Sequence, residues 1–234
     1  NSIDVGSYNA ARPLSNFLNF PVSAMILVYT PVVANLLARG LFDEIKRDYA
    51  ILTKWLSLFT LPPFLLLLIF PNEILDFFFG NAYIHASTAL SILSIGFFFN
   101  SVTGPNGAAL IAWGESKFLM WITVIIAIFN IIFNYLLIPI YGINGAATAT
   151  LLSFIMVNII KVKKLNKISR INPFSWNLVK AMSISMLVII FLSIIVKSYS
   201  FPILIFLPIL LIINYVFVGL VAIATKSVDN DDLT

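Results

Sequence analysis

Long apolar runs alternate with short polar segments along this chain. One run covers residues 118–138 and is interrupted only by Thr123, Asn130 and Asn134. A short turn at residues 139–145 leads to a second apolar run, which ends at a group of basic residues. Each run has about the 20 residues that a helix needs to cross the hydrocarbon core of a bilayer. Because the turn between them is short, the two runs predict a transmembrane helical hairpin.

Five further apolar runs predict additional spans. Their approximate limits are residues 14–37, 55–70, 88–112, 178–196 and 202–225. Unbroken runs of this length are typical of membrane helices, whereas the strands of a membrane barrel alternate over about ten residues. The pattern therefore predicts an all-α, polytopic helical membrane bundle of about seven transmembrane helices. Prolines inside the spans, such as Pro21, Pro31 and Pro62, predict bends.

Composition supports a membrane protein and excludes several other classes. The chain is 60% hydrophobic and only 10% charged, against about 25% charged residues in a soluble domain. It has no cysteine and a single histidine, so we expect no disulfide, no metal site and no cofactor. The net charge of +4 does not indicate nucleic acid, because the basic residues lie beside apolar spans.

The basic residues predict an orientation. Cytoplasmic loops of membrane proteins carry an excess of Lys and Arg. If the group of basic residues that follows the hairpin lies inside the cell, only Arg12 and Lys197 are left outside. The start of the chain is then predicted to be external and its C-terminus cytoplasmic. The group consists of Lys161, Lys163, Lys164, Lys167 and Arg170. The first residue is Asn1 rather than Met, and we expect further chain before it.

Polar residues inside the spans are the candidates for function. Arg12, Asn16, Asn19 and Ser23 follow the spacing i, i+4, i+7, i+11, which places them on one face of a helix. Such a face points to the bundle interior or to a water-filled cavity. The alternative is that Arg12 reaches the outer headgroups while the Asn side chains join helices.

Two further sets of amides are open to the same two interpretations, a contact with substrate or a structural role between or within helices. Asn130 and Asn134 lie one helical turn apart and are candidates either for substrate contact or for helix–helix hydrogen bonds. Asn100 and Asn106 flank a Gly-Pro pair that predicts a break in the third span, where they either line a cavity or cap the broken helix.

Four segments in order resemble a known family. They are DVGSYNAAR at 4–12, FFFGNAYIHAS at 77–87, ALIAWGESK at 109–117 and NIIFNYLLIPIYGINGAATAT at 130–150. Together they are similar to polysaccharide flippases of the multidrug/oligosaccharidyl-lipid/polysaccharide exporter superfamily, over residues 4–164. Pro13 departs from the family pattern.

The resemblance implies a fold of two six-helix lobes around a central cavity, often followed by two extra helices. Residues 1–164 would then be five spans of a MATE-like second lobe, 165–176 a basic cytoplasmic loop, 177–225 two additional helices and 226–234 a polar cytoplasmic tail. The first lobe of the same transporter is an expected partner, as is the lipid bilayer.

The resemblance also implies a substrate, a polyprenyl-diphosphate-linked oligosaccharide that is moved across the cytoplasmic membrane for cell-surface polysaccharide biosynthesis, without enzymatic chemistry. A guanidinium such as that of Arg12 suits a diphosphate. The amides Asn16, Asn19, Asn130 and Asn134, with Ser23, suit sugar hydroxyls.

Three alternatives remain open from the sequence. A drug/cation antiporter of the same superfamily needs acidic residues inside the membrane, and the predicted spans have no central Asp or Glu. A multi-span glycosyltransferase or polymerase needs a large external loop, whereas the loops here are short. A seven-helix receptor agrees only in span count and orientation, and the internal prolines and the expected missing front of the chain argue against it.

Overall fold

The computed structural model describes residues 2–170, 176–198 and 203–224. Regular structure in these ranges is helical, in ten α-helices and two short 3₁₀ turns. In chain order they are α1 (Ser2–Asn16), a first 3₁₀ turn (Phe17–Asn19), α2 (Phe20–Ala38), α3 (Phe42–Ile69), α4 (Pro71–Phe79), a second 3₁₀ turn (Asn81–Ala86), α5 (Ser87–Val102), α6 (Asn106–Ala112), α7 (Ser116–Tyr141), α8 (Ile143–Ser169), α9 (Trp176–Ser198) and α10 (Ile203–Ala224).

The helices are long and apolar enough to form a membrane bundle. Four continuous segments qualify by length and composition: Asp4–Ala38, Phe42–Ile69, Asn81–Ala112 and Ser116–Ser169. The last contains both α7 and α8, and shorter apolar segments lie in α9 and α10. The predicted all-α membrane bundle is confirmed. The predicted turn at 197–201 and the tail at 226–234 fall largely or wholly outside the described residues.

A short 3₁₀ turn interrupts the α-helical pattern of the first span. Pro13 lies inside α1, and the 3₁₀ turn Phe17–Asn19 joins α1 to α2, which begins with Pro21 near its N-terminus. A 3₁₀ segment turns about 120° per residue, compared with about 100° in an α-helix. The three residues of the turn therefore rotate the following helix by about 60° relative to a continuous one.

The charged segment between the first two spans is shorter than the sequence suggests. The spans predicted at 14–37 and 55–70 leave residues 38–54 between them. The structure connects the two helices by only a tight turn around Gly40, and α3 begins at Phe42. Asp43 and Glu44 lie in the first turn of α3, where negative charge stabilises the helix dipole. Lys46 pairs with Asp43 at 2.9 Å, so the polar residues extend the helix beyond its apolar part.

The third span is broken where Gly104 and Pro105 separate α5 from α6, as predicted. Gly104 has a φ of 72°, and a Cβ atom there would collide with the Thr53 hydroxyl of α3. Tyr49 of α3 donates its hydroxyl to the buried carbonyl of Thr103 at 2.7 Å. The break therefore packs directly against α3, and glycine is required for both its backbone conformation and its lack of a side chain.

Helices α7 and α8 form the predicted hairpin. Gly142 ends α7 with a φ of 56°, and a Cβ atom on Gly145 would collide with the carbonyl oxygen of Leu137. Helix α8 continues through Ser169, five residues past the predicted limit of 164, because Leu165 and Ser169 are buried on its inner side. The remainder of the predicted basic loop, residues 171–175, lies outside the described ranges.

Helix α5 is the centre of the bundle. It packs against α1, α3 and α8, while α9 and α10 pack against α3. At Gly96 a Cβ atom would lie 3.2 Å from the Cα of Leu151, so α5 and α8 approach closely there. The close approach brings polar residues of α1, α5 and α8 together at one side of the core.

Candidate functional site

A cavity of about 410 Å³ lies between the end of α1, α5 and α8. Its apolar walls are formed by Pro13 and by the rings of Phe97 and Phe154. The polar lining comes from Arg12, Asn16, Asn19 and Thr150. The structure therefore brings three of the sequence-predicted candidates into one cavity.

Ser23, the fourth residue of the predicted stripe, does not line this cavity. It is exposed on α2, beyond the 3₁₀ turn that rotates α2 relative to α1. The spacing argument assumed one continuous helix, and the rotation of about 60° takes Ser23 off the polar face.

Arg12 supplies the charge of the cavity. Its side chain is exposed and makes no ion pair with the residues that the structure describes. Asn16 lies one turn further along α1 and is also exposed. The guanidinium and this amide are therefore available to a ligand.

The two amides of the cavity floor, Asn16 and Asn19, are hydrogen-bonded to each other and to Asn100 of α5 behind the floor. Asn19 donates through Nδ2 to Asn16 Oδ1 at 3.2 Å, and Asn100 of α5 donates through Nδ2 to Asn19 Oδ1 at 3.0 Å. Next to them, the Ser101 hydroxyl donates to the carbonyl of Leu18 at 2.8 Å. The 3₁₀ turn is thereby fixed to α5 by side chains.

Asn158 of α8 lies behind this floor and is 1% exposed. Its Nδ2 donates to Asn100 Oδ1 and to the carbonyl of Phe154, both at 2.9 Å. Its Oδ1 accepts from Asn106 Nδ2 at 2.9 Å and lies 3.0 Å from the hydroxyl of Thr103. Every hydrogen-bonding position of this buried amide is occupied, which ties α8 to both sides of the break between α5 and α6.

Thr150 closes the cavity on the α8 side. Its hydroxyl donates to the carbonyl of Ala146 at 3.0 Å, as expected for a threonine inside an apolar helix. The hydroxyl of Tyr8 lies 3.3 Å from Thr150 Oγ1. Since Thr150 uses its proton within α8, Tyr8 is the donor of this pair.

Asn130 and Asn134 lie elsewhere, between α7 and α8. Asn130 donates to the Ser153 hydroxyl at 3.0 Å, and Asn134 donates to the Asn130 carbonyl at 2.8 Å and to its Oδ1 at 3.0 Å. Neither lines the cavity that contains Arg12. Asn130 therefore makes a helix–helix hydrogen bond, which was the alternative interpretation of this pair, whereas Asn134 bonds within α7 to Asn130.

An apolar groove of about 570 Å³ runs along the neighbouring face of α1. Helix α1 and the turn after it contribute Pro13, Leu14 and Phe17, and the other walls come from α3, α4 and α10. Pro13 lines both the groove and the cavity, while the consecutive residues Asn16 and Phe17 line the cavity and the groove respectively. A polar site and an apolar one thus lie on adjoining faces of one helix, with Pro13 between them.

Comparison with known proteins identifies the family. The model of the MatE family matches residues 1–136, which is more than half of the chain. The chain belongs to the MatE family. This confirms the predicted exporter superfamily.

Two curated relatives of this MatE protein come from archaea. The chain is 29% identical over 160 residues to the uncharacterized membrane protein MJ1068 of Methanocaldococcus jannaschii, covering 68% of this chain and 32% of the relative. It is 38% identical over 97 residues to the probable low-salt glycan biosynthesis flippase Agl15 of Haloferax volcanii, covering 42% of this chain and 21% of that protein. The chain therefore spans a third or less of the length of these relatives. No solved structure matches.

Sequence reasoning missed Asn158, the most buried member of the amide network of this MatE chain. The available signal was local, since Asn158 is a single amide within the apolar part of α8. An amide at such a position needs a hydrogen-bonding partner inside the bundle. Its partner Asn100 is 58 positions away, so the position predicts that a partner exists without identifying it.

Proposed function

We propose that this chain is part of a flippase that moves a polyprenyl-diphosphate-linked oligosaccharide across the cell membrane for surface polysaccharide biosynthesis. The observation that carries the proposal is the arrangement on α1. Arg12 and Asn16 line a polar cavity, while Leu14 and Phe17 line an apolar groove on the adjoining face. Such an arrangement accommodates a ligand that has a polar headgroup and a long apolar tail.

The chemistry of the cavity fits the headgroup. The Arg12 guanidinium provides charge and a planar set of N–H donors for diphosphate oxygens. Asn16 and Asn19 provide amide groups for the hydroxyls of the attached sugars. The groove provides apolar surface for the first isoprene units of the lipid, whose remaining length stays in the bilayer.

The similarity to Agl15 supports the same proposal. That relative is described as a probable flippase of low-salt glycan biosynthesis. We extend its class of activity to this chain because the similarity covers 42% of the chain at 38% identity. Transport would follow alternating access, in which the Arg12 cavity faces a second lobe of the same transporter and opens to each side of the membrane in turn.

The orientation completes the proposal. With the basic end of α8 in the cytoplasm, the start of the chain lies outside and its C-terminus inside. Arg12 then lies towards the external end of the route, where the headgroup leaves the membrane.

A drug/cation antiporter is a weaker candidate for this cavity. Organic cations are bound by carboxylates inside the membrane. Within the described part of the chain, the polar residues that line the cavity are an arginine, two asparagines and a threonine, with no carboxylate among them. The charge of this lining favours an anion over a cation.

Reconstitution tests the proposal directly. The full natural-length protein is placed in liposomes with a fluorescent polyprenyl-diphosphate oligosaccharide, and dithionite is added outside to reduce the accessible dye. We expect the reduction to proceed beyond the outer-leaflet fraction, and to do so faster than with a neutral polyprenyl glycoside. Reduction limited to the outer leaflet, together with uptake of ethidium by the same vesicles, would instead identify a cation exporter.

A further inference from the structure

The amide network has a direction, and a backbone carbonyl sets it. One end of the Asn158 amide lies 2.9 Å from the carbonyl oxygen of Phe154. A carbonyl oxygen can only accept a hydrogen bond, so the NH₂ group of Asn158 must face it. The same NH₂ group faces Asn100 at 2.9 Å, and the facing atom of Asn100 must therefore be its oxygen.

Each later step follows from the previous one. Because Asn100 turns its oxygen to Asn158, its NH₂ group faces Asn19 and donates to Asn19 Oδ1 at 3.0 Å. Asn19 then turns its own NH₂ group to Asn16 and donates to Asn16 Oδ1 at 3.2 Å. The last amide of the series, Asn16, has its oxygen occupied and its NH₂ group free of partners among the described residues.

The cavity consequently presents hydrogen-bond donors. The NH₂ group of Asn16 and the guanidinium of Arg12 both offer N–H groups. The Thr150 hydroxyl has donated its proton to Ala146, and both ends of the Asn19 amide are engaged, with Asn16 and with Asn100. The remaining lining residues, Pro13, Phe97 and Phe154, are apolar. A ligand group that only accepts hydrogen bonds, such as a phosphate oxygen, meets free donors here, whereas an ammonium group meets a guanidinium charge and amide and hydroxyl oxygens that already accept from other side chains.

We propose that Asn158 and Asn100 are positioning residues, which hold the amides of Asn19 and Asn16 in the orientation that makes the cavity selective for phosphate-bearing headgroups. The inference rests on the proposed flippase function and deepens it. Neither Asn158 nor Asn100 lines the cavity, so both act through the hydrogen-bonded series rather than by touching the ligand.

Asn100→Asp tests the direction, because an aspartate cannot donate. Its second oxygen would accept from the NH₂ group of Asn19, which would turn the oxygen of Asn19 towards Asn16. Asn16 would then rotate in turn and present its oxygen to the cavity. The substitution should therefore reverse the polarity of the cavity from a position outside it. Asn16→Asp is the matched substitution within the cavity and places an acceptor there directly.

The preference between two probes with identical tails measures the effect. The dissociation constants of dodecyl phosphate and dodecyltrimethylammonium are determined for the full natural-length protein in nanodiscs, with empty nanodiscs subtracted. We expect the natural protein to prefer the phosphate. Asn16→Asp and Asn100→Asp should each lower this preference about tenfold or more, since a hydrogen bond to a charged group is lost at the cavity.

Further variants distinguish an effect transmitted through the hydrogen-bonded amides from a direct effect of the negative charge of Asp at position 100. Asn19→Leu removes the amide that connects Asn100 to Asn16. In that background, Asn100→Asp should change the preference for phosphate over ammonium by less than about twofold. The neutral variant Asn158→Leu removes the group that orients Asn100 without adding charge, and it should lower the preference in the same direction by less. Monodisperse elution of each variant verifies folding.

Two results would overturn the directional series. The first is an unchanged preference in Asn100→Asp and Asn158→Leu while Asn16→Asp lowers it. The second is an effect of Asn100→Asp that persists in full with Leu at position 19. The two proposals can also fail separately. If the variants change the probe preference as expected but the protein does not flip lipid-linked oligosaccharide, the hydrogen-bonded series is supported and the flippase proposal is overturned.

Discussion

Single polar side chains inside apolar helices decide much of the packing of this bundle. The clearest pair outside the cavity is Asn130 of α7 with Ser153 of α8, at 3.0 Å. Ser153 also returns its proton to the carbonyl of Ala149, so it accepts from Asn130. In a membrane, such an interhelical hydrogen bond contributes modestly, because the separated helices find other partners.

A double-mutant cycle on Asn130→Ala and Ser153→Ala should give a coupling free energy of about 0.6 kcal/mol, the average for such pairs. The measurement is the free energy of unfolding in mixed micelles. As a control, Thr123 of α7 bonds only to its own helix, so Thr123→Ala and Ser153→Ala should be additive. Additivity of the Asn130 pair as well would remove this contact as a source of stability.

The sequence predicted some of these residues and not others, for physical reasons. Arg12, Asn16 and Asn19 are close in sequence, and helical spacing was sufficient to group them. Asn100 and Asn158 join them across separations of 81 and 58 positions, which depend on how α5 packs between α1 and α8. Ser23 was grouped with them because a continuous helix was assumed.

At the level of helices, the break between α5 and α6 is the most constrained feature. Gly104 combines a positive φ with direct contact against Thr53. The residues on either side of the break, Thr103 and Asn106, both approach the Oδ1 of Asn158. The break is therefore a fixed structural element and not a loose connection.

Gly104→Ala should destabilise the protein by about 1–3 kcal/mol, because the left-handed conformation becomes strained and the new methyl group meets Thr53. Gly107→Ala is the matched control: nothing lies within 4 Å of a Cβ atom there, and alanine favours the helix α6. Thermal unfolding in detergent compares the two. Equal stability of both variants would show that Gly104 is not required for the break.

For the whole molecule, charge distribution determines the orientation. Lys164 pairs with Glu115 at 2.8 Å and lies 5.1 Å from the centre of the Phe118 ring. Lys163, Lys167 and Arg170 remain exposed at the same end of α8. This end therefore carries the largest group of available positive charges, as expected for a cytoplasmic surface.

Cysteine labelling tests the orientation in a sequence that has no cysteine of its own. Asn81 and Lys167 are both exposed, in the second 3₁₀ turn and near the end of α8 respectively. An impermeant maleimide should label Asn81→Cys in intact cells and Lys167→Cys only after lysis. The reverse labelling pattern would show that the predicted orientation of every span is wrong.

The overall fold was largely predictable, because hydropathy alone determines where helices cross a bilayer. The limits of the helices were less predictable. Helix α3 begins at Phe42 and α8 ends at Ser169, since polar residues continue a helix into water when one of its sides remains packed. The packing of α9 and α10 on α3 depends on contacts that no sequence pattern expresses.

The central claim is that the Arg12 cavity binds the charged headgroup. Its most direct test is the rate of flipping of the fluorescent lipid-linked oligosaccharide per reconstituted molecule, for Arg12→Ala and Arg12→Lys. Loss of a charge-assisted contact of about 1.5–3 kcal/mol predicts a rate about ten- to a hundredfold lower for alanine at subsaturating substrate. Lysine keeps the charge without the planar fork and should retain part of the rate.

Lys167→Ala is the matched control, because it removes one positive charge far from the cavity. We predict that it flips at the natural rate per molecule while Arg12→Ala does not. Two results would contradict the account. One is a near-natural flipping rate for Arg12→Ala; the other is full activity of Arg12→Lys while Arg12→Ala only lowers the amount of protein. Either result would leave Arg12 as a residue that anchors α1 at the membrane surface.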